Sequence, residues 1–170
     1  MKSGFVALVG RPNVGKSSIL NRVIGQKVTI VSDKPQTTRR RIHGVVTKGE
    51  SQIVFVDTPG VFAAKRPAER AMVDAAWRAV EDADVALVLV DAARAVRVKG
   101  YIDENTETLM KGLRERGKRA LLALNKIDSV KRELMLVVSP EIVTRADDHL
   151  PTLPTDAKSD GSTPSPEDRR

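Results

Sequence analysis

The chain has 170 residues, a formal net charge of +7 and 30% charged residues. That length suits one domain of about 100–200 residues with a core of its own. The absence of cysteine excludes a disulfide framework, a zinc–thiolate site and a cysteine nucleophile, and fits a reducing compartment. With histidine only at 43 and 149, a His-built metal site is not expected. The longest apolar run, Ala83–Ala93, is broken by Asp84 and Asp91 and falls short of the about 18 residues a membrane helix needs. The N-terminal run is too short for a secretory peptide. The expectation is a soluble, cytoplasmic protein.

In chain order, Phe5–Val9 reads as a short buried strand closed by Gly10, and Lys16–Gly25 as a helix with Gly25 as its stop. Gln26–Arg41 is polar, basic and without sustained period, a long loop with Val28–Val31 extended. Gly44–Lys48 and Gln52–Asp57, rich in β-branched residues around Gly49-Glu50-Ser51, predict a hairpin. Pro67–Ala83 predicts a helix with Ala71, Ala75, Trp77 and Ala79 on its inner face. Val85–Val90 and Ala120–Leu124 read as buried strands, and Asp103–Arg116 as a helix stopped by Gly117. Ser129–Val138 looks helical until Pro140, and the Pro-, Ser- and Asp-rich residues 151–170 read as a disordered tail. The alternation implies an α/β fold, helices on both faces of a mostly parallel sheet. Ligands of such sheets bind outside the carboxyl ends of the strands.

Charge is uneven. Residues 151–170 carry net −1, which leaves +8 on residues 1–150. A basic surface favours a polyanionic partner through counterion release, although a merely solvated surface has the same composition.

Three sequences lie at those strand ends. Gly10-Arg11-Pro12-Asn13-Val14-Gly15-Lys16-Ser17 fits the phosphate-binding loop G-x-x-x-x-G-K-[ST]. Its glycines let backbone N–H groups turn toward phosphate oxygens, Lys16 reaches the outer phosphates, and the Ser17 hydroxyl ligates Mg²⁺. In Val54-Phe55-Val56-Asp57-Thr58-Pro59-Gly60, an apolar strand delivers Asp57 as a second Mg²⁺ partner, and Gly60 can bring its N–H to a γ-phosphate. In Leu124-Asn125-Lys126-Ile127-Asp128, Asp128 can accept two hydrogen bonds from the guanine N1–H and N2–H₂ edge, which adenine lacks. Lys126 can pack its stem along the base, and Asn125 can tie the turn to the phosphate loop. Within the long loop, Thr38, with Thr37 as the alternative, could complete the metal shell and sense the γ-phosphate, while Arg39–Arg41 face a partner or solvent.

Taken in order, G-R-P-N-V-G-K-S, V-S-x-K-P-Q-T-T-R-x-R-I-x-G, V-D-T-P-G-V and L-N-K-I-D resemble the Era family of bacterial GTPases, over about residues 3–135. The segment Ser32–Gly44 separates that family from its relatives with twin G domains. The resemblance implies a P-loop NTPase three-layer α/β/α fold and GTP hydrolysis with Mg²⁺. It also implies a role in small ribosomal subunit maturation through a C-terminal KH domain that binds rRNA, and peripheral association with the inner membrane. Residue by residue, it implies nucleotide binding by Gly10, Asn13, Val14, Gly15, Lys16, Ser17 and Ser18, and a switch at Thr38, Asp57 and Gly60. It implies that Asn125, Lys126 and Asp128 form the guanine clamp. It likewise implies that Ser17, Thr38 and Asp57 hold Mg²⁺, that Lys16, Thr38 and Gly60 act in hydrolysis, and, through Asn13, that K⁺ lies near the phosphates. Val61 stands where Ras-like enzymes carry their water-orienting glutamine, so slow intrinsic hydrolysis is expected.

Residues 1–150 then form a G domain whose last strand and helix are missing, residues 151–170 a tail, and no KH domain is expected after it. Asp156-Ala157-Lys158 is a faint echo of the family's Ser-Ala loop over guanine. A truncated or frame-shifted product is the expectation, with apolar sheet surface exposed. Two other readings stay open at this point: a fragment that binds phosphate or GDP without turnover, and a basic RNA- or ribosome-binding module.

Overall fold

The computed structural model describes residues 2–26, 42–97 and 102–134. Five strands form one sheet in the order β2-β3-β1-β4-β5. They are β1 (Lys2–Gly10), β2 (Ile42–Lys48), β3 (Ser51–Asp57), β4 (Val85–Asp91) and β5 (Ala120–Asn125). Strand β1 pairs in parallel with β3 and β4, β4 in parallel with β5, and β2 antiparallel with β3. The last pair is the predicted hairpin, and its turn through Gly49 is too short for a parallel crossover. The helices are α1 (Lys16–Ile24), α2 (Pro67–Asp82), α3 (Ala92–Arg97) and α4 (Glu104–Glu115). A 3₁₀ turn at Ile127–Ser129 succeeds β5.

Alternation along β1 and β4 divides the core between two faces. Leu8 and Leu89 point to one face, where they cluster with Leu20 of α1 and Val14. Ala7, Val9, Val88 and Val90 point to the other and pack on Ala76 and Val80 of α2 and Leu109, Met110 and Leu113 of α4. This is the three-layer architecture expected. The α1 face is thinly covered at its β5 end. Leu121 registers with Leu87, which packs on the α1 cluster, yet Leu121 is 46% exposed.

Some expectations need correction. Strand β1 begins at Lys2 rather than Phe5, because ladder pairing to β3 carries polar residues into the strand. On α2 the buried positions are Ala76, Ala79 and Val80; Ala71 is exposed and Ala75 partly so. The helix is rotated so that Val80 and Trp77, not Ala71, meet α4 and the sheet. Helix α3 was not expected at all. The Gln26–Arg41 loop beyond Gln26, the helix beyond Leu134, the last strand and helix expected to be missing, and the 151–170 tail lie outside the described residues. Among the described residues no helix is long and apolar enough to cross a membrane.

Candidate functional site

The site forms where β1, β3, β4 and β5 all end on the same edge of the sheet, as the parallel topology requires. Gly10 closes β1 and Lys16 opens α1, so residues 11–15 span the gap between strand and helix. Gly15 has φ +101°, and a Cβ there would run into Asn125 Nδ2. Asn13, at φ 61°, takes the left-handed conformation that asparagine tolerates. The buried Lys16 folds back into the loop and its Nζ donates to Arg11 O at 2.9 Å and Gly10 O at 3.3 Å. Burial, partly opposed by the charge of Asp57, lowers the Lys16 pKa from 10.5 to about 8. A cation that is costly to bury alone favours an incoming polyanion.

Across the site, Ser17 Oγ donates to Asp57 Oδ2 at 2.6 Å, although 40 residues separate them. Asp57 is fully buried. The chain after it is held by two bonds: Thr58 Oγ1 donates to Leu8 O at 2.6 Å, and Val61 N–H to Gly10 O at 3.0 Å. Gly60 lies so close to the phosphate loop that a Cβ would stand 2.5 Å from Pro12 N. A hydroxyl and a carboxylate in direct contact at a strand end are the hard oxygen donors Mg²⁺ prefers. Among the described residues no three His, Asp or Glu side chains gather into a cage. The donor set therefore fits a magnesium ion completed by phosphate and water rather than one enclosed by protein.

The third segment is joined to the first by two long-range bonds. Asn125 Nδ2 donates to Val14 O at 2.8 Å, and Lys126 Nζ to Asn13 O at 2.9 Å. Lys126 has φ 58°, which turns the chain sharply out of β5 into the 3₁₀ turn that carries the exposed Asp128. Of the residues singled out in the sequence, Gly10, Asn13, Val14, Gly15, Lys16, Ser17, Asp57, Gly60, Asn125 and Lys126 thus lie on these three connected segments. Ser18 lies exposed one residue along α1, and Thr38, like Thr37 and Arg39–Arg41, is outside the described residues.

Four residues here escaped the sequence reading. Thr58 pins the end of β3. Arg11 Nε lies 3.2 Å from Asp103 Oδ1, at the residue that caps α4. Asp91 Oδ2 accepts from Lys126 Nζ at 2.8 Å. With Arg94 and Thr106, these charged groups line a cavity of about 180 Å³ behind the loop. Asp91 did carry a signal, since it ends an apolar strand just as Asp57 does.

Residues 5–126 match the model of the family described as 50S ribosome-binding GTPase. The chain belongs to that family. It is 45% identical over 135 residues to GTPase Era of Brucella suis biovar 1 (strain 1330), an alignment covering 79% of this chain and 42% of the relative. With GTPase Era of Rhizobium meliloti (strain 1021) the identity is 47% over 135 residues, covering 79% and 41%. A crystal structure of Era in complex with MgGDPNP and nucleotides 1506–1542 of 16S ribosomal RNA superposes with a TM-score of 0.77 at 36% identity. It covers 88% of this chain and 49% of that one. An Aquifex aeolicus Era variant bound to GDP·AlF4⁻ gives 0.76 at 37% identity, covering 87% and 49%. The matched part of the chain covers 41–47% of the length of the curated relatives. Over the shared part the fold is that of an Era-type G domain.

Proposed function

We propose that this chain binds GTP and GDP and hydrolyses GTP to GDP and phosphate, by attack of water on the γ-phosphorus. The observation that carries the reading is the pair of bonds from Asn125 and Lys126 to the carbonyls of Val14 and Asn13. They join a turn suited to guanine and a loop suited to phosphates into one site. Backbone N–H groups of residues 13–18 and the Lys16 ammonium would hold the phosphates and oppose the charge that develops on them. Asp128 would select guanine, because adenine would leave its carboxylate unpaired. Ser17 and Asp57 would hold Mg²⁺, with Thr38 joining them. When bound, that ion neutralises phosphate charge. Gly60 would report the γ-phosphate through its N–H. With Val61 after it, hydrolysis would be slow without an accelerating partner.

The test is binding of GDP, GTP and ATP with Mg²⁺ present, in the wild type and in Asp128→Ala, together with phosphate release. Guanine-selective binding that the substitution abolishes supports the reading. Equal competition by ATP refutes the assignment of Asp128, and binding without phosphate release leaves a nucleotide-binding module in place of an enzyme. Potassium near Asn13 belongs to the same resemblance and is tested by replacing K⁺ with Na⁺ in the release assay.

The relative crystallised with 16S rRNA and the net +8 on residues 1–150 support small-subunit rRNA as the partner, in the cytoplasm. Peripheral membrane association rests on the family resemblance alone. In this reading residues 1–150 act as the G domain and 151–170 as an appended tail. RNA binding that weakens steeply with salt would support the partner, and salt-insensitive binding would count against it.

A further inference from the structure

The geometry points to Asp91 as a positioning residue for the guanine site, acting by fixing the ammonium of Lys126. The inference rests on the reading of Lys126 as part of that site. Lys126 Nζ has two anchors: Asn13 O of the phosphate loop at 2.9 Å and Asp91 Oδ2 at 2.8 Å. Only Asp91 supplies a charge. The backbone explains why Asp91 can do so, since it registers directly with Asn125 across the β4–β5 ladder, next to Lys126. Its other oxygen, Oδ1, accepts from Arg94 N–H at 3.0 Å. That bond caps the first turn of α3 and fixes the carboxylate. Partial burial opposes ionisation of Asp91. The bonds from Lys126 and Arg94 N–H, with the charges of Lys126 and Arg97, nonetheless hold its carboxyl below the ordinary value. The carboxylate thus fixes the far end of a long side chain whose stem must lie along the base. Without it, a lysine on a left-handed turn has several rotamers to choose from, and binding must order them.

Two roles of Asp91 separate by substitution. Serine caps a helix about as well as aspartate does, but it is too short to reach Lys126. Asparagine keeps both the cap and the reach and loses the charge. The test is GDP affinity by titration calorimetry on the full chain, in wild type, Asp91→Ser, Asp91→Asn, Lys126→Met and the two double variants, with thermal unfolding of each without nucleotide. Asp91→Ser is expected to weaken GDP binding about tenfold, the order for losing a charge-assisted hydrogen bond, and Asp91→Asn less. Unfolding temperatures should stay close to wild type. In the Lys126→Met background the Asp91 effect should vanish. An effect of Asp91→Ser that persists undiminished beside Lys126→Met, or a drop in affinity matched by a drop in stability, would overturn the inference while leaving guanine binding intact. A wild type that binds no GDP would overturn the guanine-site reading itself, and the inference with it.

Discussion

Strands β3 and β4 both run apolar to a final aspartate, yet the two carboxylates end in different surroundings. After Asp57 the chain stays inside: Asp57 and Thr58 are fully buried, and Val61 is 4% exposed. After Asp91 it turns at once into α3, and Asp91 remains within reach of water. Asp57 meets an uncharged hydroxyl, Asp91 an ammonium. The difference originates in the residues just beyond each aspartate. Thr58 bonds back to β1 and Gly60 lies close against Pro12, so this chain stays on the sheet, whereas Ala92-Ala93-Arg94 enters a helix at once. An acid at a strand end is a position, and the next three residues decide whether it becomes a dry oxygen donor or a solvated ion-pair partner.

This contrast can be tested from its strongest consequence downward. Asp57→Ala should lower single-turnover phosphate release by roughly 10²–10³-fold, the scale of losing one electrostatic group at a phosphoryl-transfer site. No substitution of Asp91 should approach that. Next comes pH. Lys16 titrates near 8 in the native state and 10.5 ordinarily, so between those values the unfolded chain binds more protons and native stability rises with pH. The gain is about 3 kcal/mol at most. Urea unfolding of the nucleotide-free wild type should gain on Lys16→Met from pH 8 to 10.5, and parallel curves would mean that the lysine is not buried as described. Thr58→Val removes the hydroxyl that pins β3 to β1 and should cost about 1–2 kcal/mol in the same assay. Smallest, Asp91→Asn should alter stability by under about 1 kcal/mol, because its ion pair is partly screened. A larger loss would mean that the two strand ends are alike after all.

Much of this was legible in the residues. Gly10, Gly15, Lys16 and Ser17 have fixed spacing because the backbone must turn within five residues, and that geometry is local. Asp57 and Asn125 are announced by the apolar strands that carry them. The features that escaped depend on pairing between distant segments. The Asp91–Lys126 bond arises from β4 lying beside β5, and the Arg11–Asp103 contact from where α4 begins. Neither leaves a periodicity. On the inner face of α2 the residues announce Trp77 and Ala79 but not the exposure of Ala71, because several alanines share the helix surface, and with side chains so similar the rotation is set by Trp77 and Val80 against α4 and the sheet. Helix α3 was missed because six residues are too few to show a helical period.

The place of β1 in the middle of the sheet has a consequence in time. It is made first, but one of its neighbours begins at Ser51 and the other at Val85, and Phe5 N–H finds Asp84 across 79 residues. During synthesis an apolar strand with two open edges must wait for residues 85–91 to emerge before both are closed. Such non-local pairing makes folding slow and leaves a sticky segment in the nascent chain. Shielding of residues 5–9 by the synthesis machinery or a chaperone would act before any nucleotide site exists.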